Sequence, residues 1–217
     1  MCNLYSQSTP RQHLLNLFRV GDNRADAFEP QDAIFPGHDA CIVKKAPDGE
    51  RECVRMNWGF VLQLKNQAPK RVTNFRDDKL SSPFWSTSFR ERRCLVPVTS
   101  FAEPKGRRPA TWYWFALSVA REPFAFAGIW QTYTGVLKQG AETVQIDVYS
   151  FMTTTPNSLV ASVHPLRMPL MLVGFEAQEQ WLDGTPNETK QLVCSYPAED
   201  MTIVQSSPER RDMGKPS

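Results

Sequence analysis

Two runs, FAFAGIW (124–130) and VQIDVYSFMTT (144–154), decide the fold class. Both are rich in β-branched and aromatic residues and both are bounded by turns, so each reads as a strand. Working outward, ACIVKK (40–45), ECVRMNWGF (52–60), RCLVPV (93–98) and TWYWFAL (111–117) have the same character. Asp48-Gly49 between the first two of these is a hairpin turn signal. PLMLV (169–173), LVCSYP (192–197) and MTIVQ (201–205) extend the series of strands. Helical patterns are few. Ser8-Thr9-Pro10 before RQHLLNLF reads as an N-cap with proline in the first turn, opening a short amphipathic helix to Phe18. Thr155-Pro156-Asn157 opens a brief helix ending near His164, and FEAQEQWLDG (175–184) reads as a helix stopped by glycine. Residues 21–39 are polar and rich in turn formers and read as a long loop. Many short strands with peripheral helices predict an α+β fold, one domain over 1–205 around a curled, largely antiparallel, barrel-like sheet. SSPERRDMGKPS (206–217) reads as a disordered tail.

The totals narrow the class of protein. The chain has 217 residues, 41% hydrophobic and 22% charged, a globular balance that excludes a disordered chain. No apolar run reaches membrane-spanning length, and the start of the chain lacks an apolar signal region. The expected location is therefore cytoplasmic, near the nucleoid, with a monomer sufficing. Five cysteines (2, 41, 53, 94, 194) form no C-x-x-C pair. The reading is therefore reduced thiols, with no disulfide framework, no metal site and no cofactor. Net charge is only +2, yet Lys65–Arg108 holds eleven Lys and Arg against four Asp and Glu, leaving the remainder near −5. Phe75, Phe84, Trp85, Phe89 and Phe101 interleave with those cations. Cations neutralise phosphates and aromatic faces stack on bases, so the segment reads as a nucleic-acid surface, or alternatively as a solvated face with its rings turned inward.

Chemistry-bearing residues sit in four polar islands at the ends of strands or turns. Cys2 is the first. If Met1 is removed, Cys2 carries a free α-amine and a thiol on adjacent carbons, a pair able to close a five-membered ring on an aldehyde. Typical pKa values of about 8 for the amine and about 8.5 for the thiol make modest tuning sufficient. VTNFRDD (72–78) places Asn74 and Arg76 two residues apart in an extended segment. TSFAEPKG (99–106) sets Glu103 beyond a strand. SVHPLRMPLML (162–172) sets His164 and Arg167 before another. A carbinolamine must lose its hydroxyl as water, which histidine and a carboxylate can assist. Asn74 could hold the amine or a sugar by hydrogen bonding, and Arg76 and Arg167 could clamp phosphates.

The order of these islands resembles the SOS-response-associated peptidase (SRAP) family. That family begins Met-Cys-Gly-Arg-Tyr/Phe, then shows Trp-Gly, Asn-Ala-Arg-x-Glu-Thr, Arg-Cys-x-x-Pro leading to Phe-x-Glu-Trp, and a late His-x-Arg-Met-Pro. The chain has MCNLY (1–5), Trp58-Gly59, Asn74-Phe75-Arg76-Asp77-Asp78 and Arg93-Cys94-Leu95-Val96-Pro97. It then has Ser100-Phe101-Ala102-Glu103 and His164-Pro165-Leu166-Arg167-Met168-Pro169. The resemblance implies a sensor and shield of abasic sites in single-stranded DNA, working through a thiazolidine crosslink. Cys2 would be the nucleophile. Asn74 would position the chain terminus and sugar, and Glu103 and His164 would move protons. Arg76, Trp58, Thr153 and Arg167 would contact DNA. The peptidase label implies self-removal of Met1, which an ordinary aminopeptidase could also perform.

The chain departs from the family pattern at several points. Asn3-Leu4 replace Gly-Arg, Asp78-Lys79 replace Glu-Thr, and Pro104 replaces the tryptophan after the glutamate. One residue is inserted between His164 and Arg167, and a second tryptophan expected shortly after Trp58-Gly59 is absent. Two other readings compete. One is a cysteine-nucleophile peptidase or amidohydrolase with His164 as base. The other is a non-catalytic single-strand binding module whose affinity falls with salt.

Overall fold

The computed structural model describes residues 2–65, 67–107 and 109–214. The first elements are β1 (Tyr5–Gln7), α1 (Arg11–Leu17), β2 (Gln31–Ile34), β3 (Asp39–Lys45) and β4 (Arg51–Trp58). Next come β5 (Phe60–Leu62), β6 (Lys70–Val72), β7 (Asn74–Arg76), α2 (Pro83–Glu91), β8 (Arg93–Val98), β9 (Ser100–Lys105) and β10 (Thr111–Ala116). The long strands β11 (Phe124–Val136) and β12 (Thr143–Thr154) follow, then α3 (Ser158–Ala161), β13 (Met168–Pro169) and β14 (Met171–Leu172). Helices α4 (Phe175–Asp183) and α5 (Pro186–Gln191) precede the last strand, β15 (Thr202–Ser207).

Strands β12, β4, β3, β8 and β11 hydrogen-bond in that order, and β11 pairs back to β12, closing a barrel of five strands. Four of the junctions are antiparallel and one, β4 with β12, is parallel, with Tyr149 opposite Trp58. The sequence-derived α+β class with a barrel-like core is the observed one. A second sheet, in the order β15-β10-β9-β1-β2, packs on the barrel. The core between them is aromatic: Tyr5, Trp58, Phe101, Phe126, Tyr149 and Phe151 are fully enclosed. Their rings meet edge-on or stacked with centroids 4.7–6.4 Å apart, a favourable geometry. The Tyr5 and Tyr149 hydroxyls satisfy each other at 2.5 Å. On the opposite side, α4 docks through Trp181, whose indole N–H is shared between the Cys94 and Gly128 carbonyls at 3.0 Å each. A Cβ at Gly128 would lie 2.7 Å from Cys94 Sγ, so that strand position admits no side chain.

Several sequence expectations change. Pro10 is itself the α1 N-cap and no side chain caps that helix. The expected loop over 21–39 contains β2, which is held because it completes the edge beside β1. LVCSYP (192–197) forms no strand, and the chain there wraps over the helices instead. Cys41 and Cys53 form a disulfide, with Cα atoms 6.0 Å apart, so the reading of uniformly reduced thiols is corrected for this pair. The cause is register: Val43 lies opposite Cys53 in the β3–β4 hairpin, which leaves Cys41 diagonal to it on the same face.

The tail reading is also corrected for residues 206–214. Asp212 is enclosed, pairs with Arg121 through contacts of 2.8 and 2.9 Å, and accepts a 2.5 Å hydrogen bond from Ser100. Met213 N–H donates to Gln205, and Asp212 N–H to the Asp32 carbonyl. Residues 215–217 lie outside the described residues. Because only 9% of the Arg121 side chain and none of that of Asp212 is exposed, Asp212→Ala leaves a buried, unpaired guanidinium. It is expected to lower unfolding free energy by about 3–5 kcal/mol in urea denaturation. A loss below about 1 kcal/mol would show that the segment is not docked in solution.

Candidate active site

The site lies where the start of the chain, β7, β9 and the turn before β13 approach one end of the barrel. Strand β1 pairs with β9 in the register Tyr5–Phe101 and Ser6–Ser100, and the Ala102 N–H donates to the Leu4 carbonyl. Continued antiparallel, that register carries Asn3 and Cys2 alongside Glu103. Cys2 packs in the same apolar cluster as Trp58, Phe151, Val163 and Met168. It is buried, and its thiol donates weakly to the Leu4 carbonyl at 3.4 Å. Burial first, and then the nearby Glu103 charge, push the thiol far above its ordinary range.

Strand β7 brings Asn74 into place. After Trp58 the chain turns through Gly59, leaves as the β5–β6 hairpin, and returns as β7 to pair in parallel with β12, Asn74 opposite Phe151. Trp58 Nε1 donates to the Thr73 carbonyl, tying the two ends of this excursion. Thr73 Oγ1 donates to Asn3 Oδ1 at 2.8 Å, tying β7 to the chain start. Gly59 and Gly37 both adopt positive φ, and a Cβ on either would press on Arg71 at 3.2–3.3 Å. Their bareness lets the Arg71 side chain lie on the backbone, donating to the Trp58 and Gly59 carbonyls.

His164 enters because β11 and β12 separate beyond Gly128 and Phe151. The segment 168–172 fills the gap, β13 pairing with β12 and β14 with β11. His164 precedes this wedge, half-buried, its Nδ1 3.0 Å from the Arg167 carbonyl oxygen. Burial lowers its pKa from the ordinary value. Lys105, just past Glu103, donates to the Ser162 carbonyl at 2.8 Å and fastens the same turn to β9.

Two atoms in this group are anomalous. Among the described residues Asn74 Nδ2 and Glu103 Oε1 are buried without a hydrogen-bond partner, although nearly all buried polar atoms in proteins have one. Each such omission costs about 1–3 kcal/mol. Burial raises the Glu103 carboxyl to about 7, so near neutrality it can both hold and accept a proton. Among the described residues no group of three or more His, Cys, Asp or Glu could hold a metal ion.

The expected DNA contacts are placed differently. Trp58 is fully enclosed and offers no face for a base. Thr153 is enclosed as well, its hydroxyl donating to the Phe75 carbonyl at 3.2 Å. Arg167 binds Asp77 at 2.5 Å and the Thr153 backbone, which makes it a brace between β12 and the 76–78 segment. Arg76 is exposed and paired with Asp78 at 2.6 Å. Most of the interleaved aromatics point inward: Phe75, Trp85, Phe89 and Phe101 are buried and Phe84 is half-buried, so the segment's rings mainly build core. The sequence reading missed the roles of Asn3 and Arg71: Asn3 accepts from the Thr73 hydroxyl and Arg71 lies on glycine-bared backbone, contacts with no local sequence signal.

The fold is a mixed five-stranded barrel with an aromatic core and, at one end, the buried Cys2 thiol near the buried Glu103 carboxyl. The family model for SOS response associated peptidase (SRAP) matches residues 1–210, and the chain belongs to that family, which is associated with the SOS response. A search of curated proteins returns no match. A crystal structure of a Bordetella bronchiseptica protein is similar with a TM-score of 0.74 and 19% identity, covering 95% of this chain and 98% of that one. A Bacteroides thetaiotaomicron protein is similar with a TM-score of 0.70 and 19% identity, covering 93% and 90%. A phage-related protein from B. bronchiseptica matches with a TM-score of 0.70 and 18% identity over 100% of both chains. These three likenesses show the fold.

The raised Glu103 carboxyl has a measurable signature. A carboxyl of ordinary pKa near 4.3 when unfolded and about 7 when folded favours folding while protonated. Stability from this group is present below the unfolded value and is lost as pH rises toward about 7. Glu103→Gln, which stays neutral, is expected to gain stability relative to the parent over that window, with a constant difference above it. Parallel thermal melts of the two proteins across pH check this, and a pH-independent difference would contradict it.

Proposed function

We propose that the protein captures abasic sites in single-stranded DNA by a covalent crosslink at Cys2. With Met1 removed, the α-amine of Cys2 adds to the C1′ aldehyde of the ring-opened deoxyribose, and the carbinolamine loses water to give an iminium. The Cys2 sulfur then adds to the same carbon. One C–N and one C–S bond form, the carbonyl oxygen leaves as water, and no oxidant is needed. The observation that carries the reading is the pair of buried atoms without a partner among the described residues, Asn74 Nδ2 and Glu103 Oε1, with the Cys2 thiol close enough to Glu103 to feel its charge. An incoming sugar oxygen and amine would supply what those atoms lack.

The environment suggests an order of events. Burial keeps the thiol protonated, so the amine is the first nucleophile and sulfur closes the ring second. Glu103 at about 7 takes the thiol proton in that second step, and His164, kept neutral by burial, assists loss of water. Asn74 orients the amine or the sugar hydroxyl. The crosslink, its reversal, and self-removal of Met1 all belong to this reading, as does the DNA partner.

An abasic single-stranded oligonucleotide, a denaturing gel and intact-mass analysis test it. The expected result is a protein lacking Met1 and a covalent band that vanishes in Cys2→Ala. Asn74→Ala and Glu103→Gln should slow band formation by about 10²–10⁴-fold. Peptide hydrolysis without a covalent band would favour the cysteine peptidase reading. Salt-sensitive binding without a covalent band would favour the binding module.

A further inference from the structure

Beside Asn74 a cleft of about 490 Å³ opens, lined by Asn3, Phe35, Lys70, Arg71 and, from the far end of the chain, Arg210. Among the described residues no carboxylate lines it. Arg210 is exposed, yet its position is defined: the guanidinium lies 5.0 Å from the Phe35 ring centroid and 4.8 Å from that of Trp112. Among the described residues no acidic side chain pairs with it. The backbone that carries it is anchored two residues later by the buried Asp212–Arg121 pair, and Gln205 accepts from the Met213 N–H and donates to the Arg211 carbonyl.

An unneutralised cation fixed on two aromatic faces is a poor stabiliser of this fold and a good receptor for an anion. Lys70, Arg71 and Arg210 surround an opening at whose floor the Asn74 amide lies. A planar guanidinium held on rings keeps its outward N–H groups preorganised for phosphate oxygens, at little further entropy loss. We propose that the docked C-terminal segment supplies a phosphate-binding residue to this site, Arg210, which holds the backbone of a DNA single strand in the cleft beside Asn3 and Asn74. This rests on the proposed function for its ligand, but not on the crosslink.

Binding is therefore measured where no crosslink can form, in a Cys2→Ala background with an undamaged single-stranded oligonucleotide, by fluorescence anisotropy across a salt series. Arg210→Ala is expected to weaken binding about tenfold at near-physiological salt. It should also make the log–log salt slope shallower by about 0.7, the loss of one phosphate contact on a single strand. Arg210→Lys keeps the charge and should retain the slope while losing part of the affinity. Lys138→Ala, an equal charge change at an exposed position outside the cleft, should alter neither. Unchanged affinity and slope in Arg210→Ala, or equal losses in Lys138→Ala, would overturn the inference even if the parent crosslinks abasic DNA. A parent that never crosslinks but shows the Arg210 effect would sink the proposed function and leave this inference standing. A protein that binds no single strand sinks it outright.

Discussion

A ring of five strands cannot alternate direction all the way round, so one neighbouring pair must run parallel. In this chain that pair is β4 with β12, and the rest of the site follows from it. A parallel partner cannot be reached by a tight hairpin. Pairing β4 with β12 therefore lets the chain leave at Trp58, make the β5–β6 excursion, and resume the same edge of β12 as β7. Asn74 and its neighbour Thr73 are thereby delivered to the end of the barrel where β1 begins. The glycine at 59 is the hinge of that departure, and Arg71 lies across it as a strut, donating to the carbonyls on either side.

The second constraint is on the other edge of β12. The barrel opens where β11 and β12 diverge, and an open seam would leave ladder groups unpaired. Residues 168–172 close it, with the Leu170 N–H donating to the Met152 carbonyl and its own carbonyl accepting from Ala127. Filling the seam fixes the turn that carries His164, and Arg167 braces it against Asp77 on the opposite edge. In this structure Arg167 rivets the turn that carries His164 to Asp77 and the Thr153 backbone, whereas the sequence suggested a contact to phosphate. A residue type alone could not distinguish these roles, because both require an arginine with planar donors.

That ambiguity explains what the sequence made legible. RCLVPV (93–98) and VQIDVYSFMTT (144–154) became β8 and β12 within a residue, the first as a nearly continuous buried apolar run and the second as a run rich in β-branched and aromatic residues. The segments of β7 and β9 read only as polar islands, and β1 was not read as a strand. Their composition gives little strand signal, and tertiary pairing holds them extended. The resemblance implied a DNA contact at Trp58, and the aromatics between Lys65 and Arg108 read either as stacking faces or as rings turned inward, because a ring in a strand faces either core or solvent and composition does not reveal which. Gln7 shows the converse: a polar residue at the chain start that is enclosed because its amide bridges the Cys41 and Pro97 backbones, stitching the outer sheet to the barrel. The tail looked disordered because Asp212 among Arg210 and Arg211 resembles a solvated charge run. Its burial depends on Arg121, ninety-one residues away in sequence.

The site concentrates destabilising features in one place. A carboxyl raised to about 7 and an amide N–H without a partner among the described residues each oppose folding near neutral pH, whereas the surrounding aromatic core and the two sheet edges over-determine the geometry. A fold optimised for stability alone would place glutamine or an apolar residue at 103. If the proposed chemistry holds, the same burial that penalises Glu103 also orders the reaction. It withholds thiolate from other electrophiles, leaves the amine to find the aldehyde, and calls on sulfur only once Glu103 is there to take its proton. The low dielectric that raises both groups is then one cause with two effects, selectivity at Cys2 and proton transfer at Glu103, and neither effect could be tuned away without losing the other.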